Sequence, residues 1–339
     1  MANVSEKNKA ANIFDVARLA GVSHQTVSRV VNDLPNVRPA TRERVERAIK
    51  QLRYTPSPAA RALVTRRSRV IGLITTSASS YGPASTSLYV NEAARRAKYS
   101  VLAISMLDAN GSEVRDAIES LIRQNAEGIV LVSEDRIVLD SIYGMEIGIP
   151  IVTVDPDAPP RIDSAAIDQY GGGRAAVRHL VELGHREIAF LSGPQRSPDA
   201  ADRLRGWSEE LMAHGLVTRA PDYGDWAPRS GYEFGMRFAV GEPYTAAFIA
   251  NDQMALGFVR AMNERGIRVP GDVSVVGFDD IPEAAYVTPP LTTLRQDFSE
   301  LGELTVRRLM SALDGQVAPP ASRIPAELIV RASTAPPAS

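Results

Sequence analysis

The side chains with the most obvious chemistry sit near the start of the chain. Ser23, His24, Gln25, Thr26, Ser28, Arg29 and Asn32 carry hydroxyl, imidazole, amide and guanidinium groups. A guanidinium can grip guanine O6 and N7 with two bonds, and an amide can pair with adenine or bridge neighbouring bases. Such groups read a base only if a frame holds them. Val16, Leu19 and Ala20 recur at i, i+3 and i+4, which predicts an apolar face on a first short helix. Gly21 supplies the freedom a tight turn needs, and Ser23 suits the N-cap of a second helix. Val27, Val30 and Val31 form that helix's inward face. A short helix pinned from behind and polar outside suits the DNA major groove. The same spacing also describes a helical hairpin with a solvated face, and spacing alone does not separate the two.

Charge favours the first reading. Residues 1–69 hold 14 Lys and Arg against 5 Asp and Glu, a net +9, whereas residues 70–339 hold 24 against 35, a net −11. A basic head on an acidic body is the footprint of a nucleic-acid reader whose body has another task. The 339 residues suit two or three domains with sizeable cores. The absence of cysteine excludes disulfides and thiolate sites. The polar Met1–Asn12 stretch has no signal-like apolar core, and no run approaches the ~20 apolar residues of a membrane span. A cytoplasmic protein without membrane contact is expected. His24, His179, His185 and His214 lack metal-ligand spacing, so neither metal nor cofactor is expected.

Residues 1–11 read as disordered. Pro39 can begin a third helix, whose stripe Val45, Ile49 and Leu52 closes a three-helix core. Arg42, Arg44, Arg47 and Lys50 fall mostly on its other faces, where they serve phosphate contacts or solubility. Tyr54-Thr55-Pro56-Ser57-Pro58 ends that unit, and Ala59 to Val64 is helix-prone but too short to be stable alone. From Val70 the texture changes. Apolar runs at 70–74, 101–104, 128–132, 151–154, 188–191, 246–250 and 273–276 alternate with helical stretches at about 88–99, 113–125, 169–183, 201–214, 230–238 and 253–265. Continuous apolar strands between helices imply parallel sheets covered on both faces. Two such units in tandem predict a two-lobed body with a cleft beyond the strands' carboxyl ends.

Val22-Ser23-His24-Gln25-Thr26-Val27-Ser28-Arg29-Val30-Val31-Asn32 closely resembles the recognition helix of the lac repressor / galactose repressor family, with His24 where a tyrosine is typical of its lactose-responsive member. Ala250 to Gly257 and Pro289 to Phe298 also resemble family segments, and the likeness runs from residue 12 to about 331. It implies a small all-α helix-turn-helix DNA-binding head at 12–56, a hinge helix and linker at 57–69, and an α/β bilobed periplasmic-binding-protein-like body at 70–331. The chain would cross back between lobes near residue 291. The resemblance places Ala60 and Leu63 on the hinge helix, with Leu63 as a minor-groove wedge. It implies pseudo-palindromic double-stranded operator DNA and a small-molecule sugar as partners. The C-terminal leucine heptads that make tetramers in the family are missing here, so a homodimer is expected.

A sugar site needs carboxylates and amides for hydroxyl pairs, a guanidinium fork and an aromatic face. Asp155, Arg203, Trp226, Asn251 and Asp279 follow predicted strands. The resemblance assigns these five, with Gln296, to the family's sugar pocket. Asp199 falls where the lactose-responsive member has serine, and the loop Ser77 to Ser87 should wall the pocket's first-lobe side. Asp252 reads better as a helix cap, Asp280 as a turn residue, Trp207 as core, and Gly171-Gly172-Gly173 as a plain helix start. Three readings result. A repressor released from its operator by a galactoside or related oligosaccharide leads, with a ligand that instead promotes DNA binding as its variant. A transport solute-binding protein would share the body but not the basic head. A glycosidase using Asp155 and Asp279 as its carboxylate pair lacks a catalytic motif.

Overall fold

The computed structural model describes residues 11–55, 67–107, 109–159, 162–239, 244–316 and 323–338, and the chain divides into two compact units, Met1–Arg69 and Val70–Ser339. Ala60 and Leu63, with most of the expected hinge, lie outside the described residues.

The first unit packs α1 (Ile13–Ala20), α2 (His24–Val31) and α3 (Pro39–Leu52). Asn12 caps α1: its Oδ1 accepts from Phe14 N at 2.8 Å and Asp15 N at 3.2 Å, while Asp15 returns a carboxylate to Asn12 N. Gly21 turns the chain in the left-handed region at φ +64°. Ser23 Oγ then accepts from Thr26 N at 3.2 Å and starts α2. The core is Val16, Ala17, Ala20, Val27, Val30, Val45 and Ala48. Leu19 departs from expectation and is 46% exposed. At 100° per residue, Val16, Ala17 and Ala20 span one arc, and Leu19 lies beyond its edge.

The second unit holds two parallel sheets. In the first lobe, β1 (Val70–Thr75), β2 (Ser100–Ser105), β3 (Gly128–Val132), β4 (Ile151–Val154) and β5 (Asp163–Ala165) run in the order β2-β1-β3-β4-β5. Helices α4 (Tyr81–Arg96), α5 (Gly111–Arg123) and α6 (Arg136–Tyr143) connect them. Every residue of β3 is buried, as a central strand covered on both faces requires. After β6 (Ile167–Asp168) the chain enters the second lobe. There β7 (Ile188–Ser192), β8 (Asp222–Tyr223), β9 (Ala246–Ile249) and β10 (Ser274–Val276) run β10-β9-β7-β8. Helices α7 (Gln169–Glu182), α8 (Pro198–Ala213), α9 (Pro228–Arg237) and α10 (Asp252–Glu264) alternate with them, and Trp207 is core as expected.

The crossing near residue 291 is present. β11 (Thr293–Arg295) leads into α11 (Phe298–Leu313), whose Val306 and Leu309 join the first-lobe core with Ile71, Val90 and Val130. β12 (Ile324–Pro325) then pairs with β6, and β13 (Glu327–Ile329) runs antiparallel to β11. Packing continues past the expected limit at 331, because buried Ser333 donates to Val275 O and accepts from Thr292 N. The segment Ser77 to Ser87 is not all loop, since α4 already starts at Tyr81.

Candidate functional site

In the first unit, α2 presents Ser23, His24, Gln25, Thr26, Ser28 and Arg29 on one continuous concave surface. His24, Gln25 and Arg29 are exposed. The His24 ring leans on Phe14 at 5.3 Å, so an exposed aromatic of α1 sets its direction. Asn32 is turned inward: its Nδ2 donates to Ser28 O at 2.9 Å and closes the end of α2. Arg42 is tied to Asp33 at 2.9 Å and so is partly neutralised.

In the second unit one cleft lies between the lobes, about 640 Å³ counting its open mouth. Asp199, Arg203, Trp226, Asn251, Asp279 and Gln296 all line it, facing Tyr81, Glu134 and Thr86 from the first lobe. Arg203 is its centre. Nε donates to Gln169 Oε1 at 2.9 Å, Nη1 donates to Ala250 O, and Nη2 lies 3.6 Å from Asp279 Oδ1. Gln169 Nε2 donates to Gln296 Oε1 at 2.8 Å, and Gln296 Nε2 to Asp279 Oδ1 at 2.6 Å. The four side chains thus close a ring of polar contacts. The guanidinium stacks 3.8 Å from the Phe278 ring centroid and 5.4 Å from that of Trp226.

Local sequence explains these positions. Gly173 lets α7 approach α8, because a Cβ there would lie 2.7 Å from Arg203 O. Gly193 leaves room for the Trp226 ring, which any Cβ at that point would strike. Trp226 and Asp279 adopt φ +71° and +114°, a region costing about 1–3 kcal/mol for a side-chain-bearing residue. Asp279 is kept there by its own N–H, which donates to Leu294 O at 2.7 Å. Burial pushes Asp279 up to about 6 against the pull of Arg203 and Gln296, and pushes Asp199 up to about 6 against Arg203. Glu134 rises to about 8, through burial first and then repulsion from Asp199.

Two expectations need correction. Asp155 does not line the cleft. Its Oδ2 accepts from Tyr143 Oη and its Oδ1 from Asp157 N at 2.9 Å, so it props the wall from behind. The carboxylate pair weighed for glycoside hydrolysis is therefore not assembled. The helix cap is Asn251, whose Oδ1 accepts from Met254 N at 3.0 Å, and not Asp252. Asp252 is fully buried, holding Thr293 Oγ1 at 2.6 Å and Ile281 N at 2.9 Å. Asp280 adopts φ +52° and binds both Arg295 and Arg331. The sequence reading missed Glu134 and Gln169. Glu134 lies two residues past the end of β3, as Asn251 lies two past β9, so the strand-end rule that selected Asn251 also reaches it. Gln169 follows a two-residue strand that leaves no periodic signal.

A helical head with an exposed polar recognition helix, joined to a two-lobed body with a polar cleft, defines a DNA-binding regulator that carries its own ligand receptor. The profile of bacterial regulatory proteins of the lacI family matches residues 12–57, and that of the periplasmic binding protein-like domain matches residues 177–334. The chain is 37% identical to the lactose operon repressor of Escherichia coli (strain K12) over 96% of its own length and 91% of that protein. The lac repressor dimer bound to operator and the anti-inducer ONPF superposes with a TM-score of 0.85 at 34% identity, covering 96% of this chain and all of that one. A complex of the transcriptional regulator CelR with cellobiose gives 0.71 at 32% identity, over 95% and 99%. The chain belongs to the lacI family of transcriptional repressors. No helix among the described residues is long and apolar enough to cross a membrane.

Proposed function

We propose that this chain is a non-enzymatic, cytoplasmic repressor that binds a pseudo-palindromic operator as a homodimer and is released by a sugar, a galactoside or related oligosaccharide, held between the lobes. Residues 12–56 serve as the DNA-reading head, 57–69 as the hinge and the rest as the receptor. The reading rests above all on the cleft. Arg203, Asn251, Asp279 and Gln296 supply fork, amide and carboxylate groups beside Trp226, the set that hydroxyl pairs and a sugar's C–H face require. The similar lac repressor, held on its operator with the anti-inducer ONPF, and CelR, in complex with cellobiose, support this reading. The test is fluorescence anisotropy on DNA flanking the chain's own gene, titrated with lactose, galactose and cellobiose. Release by any of them supports the reading. Tighter operator binding would make the ligand a corepressor, and no effect on either DNA or protein would refute sugar control.

A further inference from the structure

The cleft has a charge surplus that a neutral sugar does not answer. Glu134 enters from the end of β3, Asp199 from the first turn of α8, and Asp279 from the loop after β10. Among the described residues that line the cleft, Arg203 is the sole cation. Its N–H groups are already directed at Gln169, Ala250 and Asp279. Among the described residues, Asp199 accepts from the Gln169 amide at 3.3 Å, and Ser80 is the hydrogen-bonding neighbour that draws Glu134 back toward its charged form. Neither forms an ion pair among the described residues. Hydroxyl groups of a neutral ligand would bond these carboxylates and leave their charge in place, so the cleft would have to hold protons. An ammonium presents three donors and one positive charge at a single atom, and three carboxylates from two lobes converge on the same space.

We propose that the effector is a sugar bearing a protonated amine, gripped by Glu134 on the first lobe and by Asp199 and Asp279 on the second. This rests on the reading of the cleft as a sugar receptor. Glu134 and the two aspartates line opposite sides of the cleft, and among the described residues that line it Arg203 is the one cation and the Tyr81 phenol the other titratable group. Because an ammonium stabilises the carboxylates, Glu134 gives up its proton to solvent when the ligand enters. Binding of the amine therefore releases a proton near neutral pH.

The experiment uses the full chain at about pH 6.5, below the ~7.7–8.0 of an ordinary α-amino group. Galactosamine and glucosamine are compared with galactose, glucose and their N-acetylamino counterparts by calorimetry and by tryptophan fluorescence. The amines should bind about tenfold or more tighter than both neutral counterparts. Titration in buffers of different ionisation heat should show proton release for the amines alone. In Glu134→Gln the preference for the amine should fall toward parity. Equal or tighter binding of the neutral sugars overturns the inference while leaving sugar control standing, as does an amine preference that Glu134→Gln keeps in full. Failure of every sugar to bind removes both.

Discussion

Asp279→Asn should flatten the dependence of the body's stability on pH. The carboxyl is buried, donates nothing, accepts from Gln296 and stands beside Arg203. Burial moves it from an ordinary 3.8 to about 6. At 1.36 kcal/mol for each tenfold change in proton affinity, that is about 3 kcal/mol. The folded state holds this proton more tightly than the unfolded chain. The stability it contributes is thus complete below about pH 3.8 and lost as pH rises through 6. Glu134, displaced from 4.5 to about 8, carries the decline further upward in both proteins. Asp199 shares Arg203 with Asp279, so part of the effect is common property, and a difference of about 1.5–3 kcal/mol in the fall between pH 4 and 7 is expected. Urea unfolding at a series of pH values measures it. Both tryptophans, Trp207 and Trp226, lie in the second unit, so intrinsic fluorescence reports that unit alone. Parallel stability curves for the two proteins would refute the argument, because they would mean that Asp279 titrates alike folded and unfolded.

Arg29→Ala should cost about 1–3 kcal/mol of discrimination at one base pair per half-site, measured by competition between operator and single-base variants. An equal loss on operator and random DNA would reassign Arg29 to phosphate contact. Gly173→Val should drive α7 off α8 and displace Arg203, lowering stability by about 1–3 kcal/mol and weakening effector binding, read by thermal melts and ligand titration. Light scattering should give the mass of two chains. A stable tetramer would contradict the assembly.

The architecture was largely legible because its strands are buried on both faces and read as unbroken apolar runs. Each of the seven predicted runs from Val70 to Val276 is a strand within a residue or two. The elements that escaped are those without such a signal. β6, β11 and β12 are two or three residues long, and their pairing is fixed by the lobes on either side. Their obscurity mattered, because Gln169 and Gln296 each follow one of them. Leu19 failed because position in a heptad-like pattern does not fix which side of a narrow stripe faces the core. Asp155 failed for another reason. Strand-end position brings a carboxylate near a cleft, but Tyr143 at the end of α6, across the intervening loop and β4, decides where its oxygens go. The backbone strain at Trp226 and Asp279 has no sequence signature in either residue, since it depends on distant partners, Leu294 O for the Asp279 N–H and the Asn251 amide for the Trp226 carbonyl.

Those crossing segments connect ligand occupancy to lobe position. Gln169 and Gln296 belong to the connections between lobes, and Arg323 on a third connection donates to Asp202 of the second lobe at 2.8 Å and to Pro156 O of the first at 3.0 Å. Gln296 thus ties the polar ring around Arg203 to the segment that crosses between the lobes. On the far rim the lobes meet through an Arg196–Asp135 ion pair of 2.9 Å and a bond from Arg136 N to Arg196 O of 2.9 Å. The Arg196 side chain is 65% exposed, so the ion pair contributes at most about 1 kcal/mol, and the backbone bond about as much again. Contacts this weak add little resistance to a movement of one lobe on the other. Moving a lobe equilibrium from 1:99 to 99:1 takes about 5.5 kcal/mol of differential affinity. A ligand that bridges Glu134 on one lobe and Asp199 or Asp279 on the other makes those contacts only when the cleft is closed, so its binding energy is differential by construction.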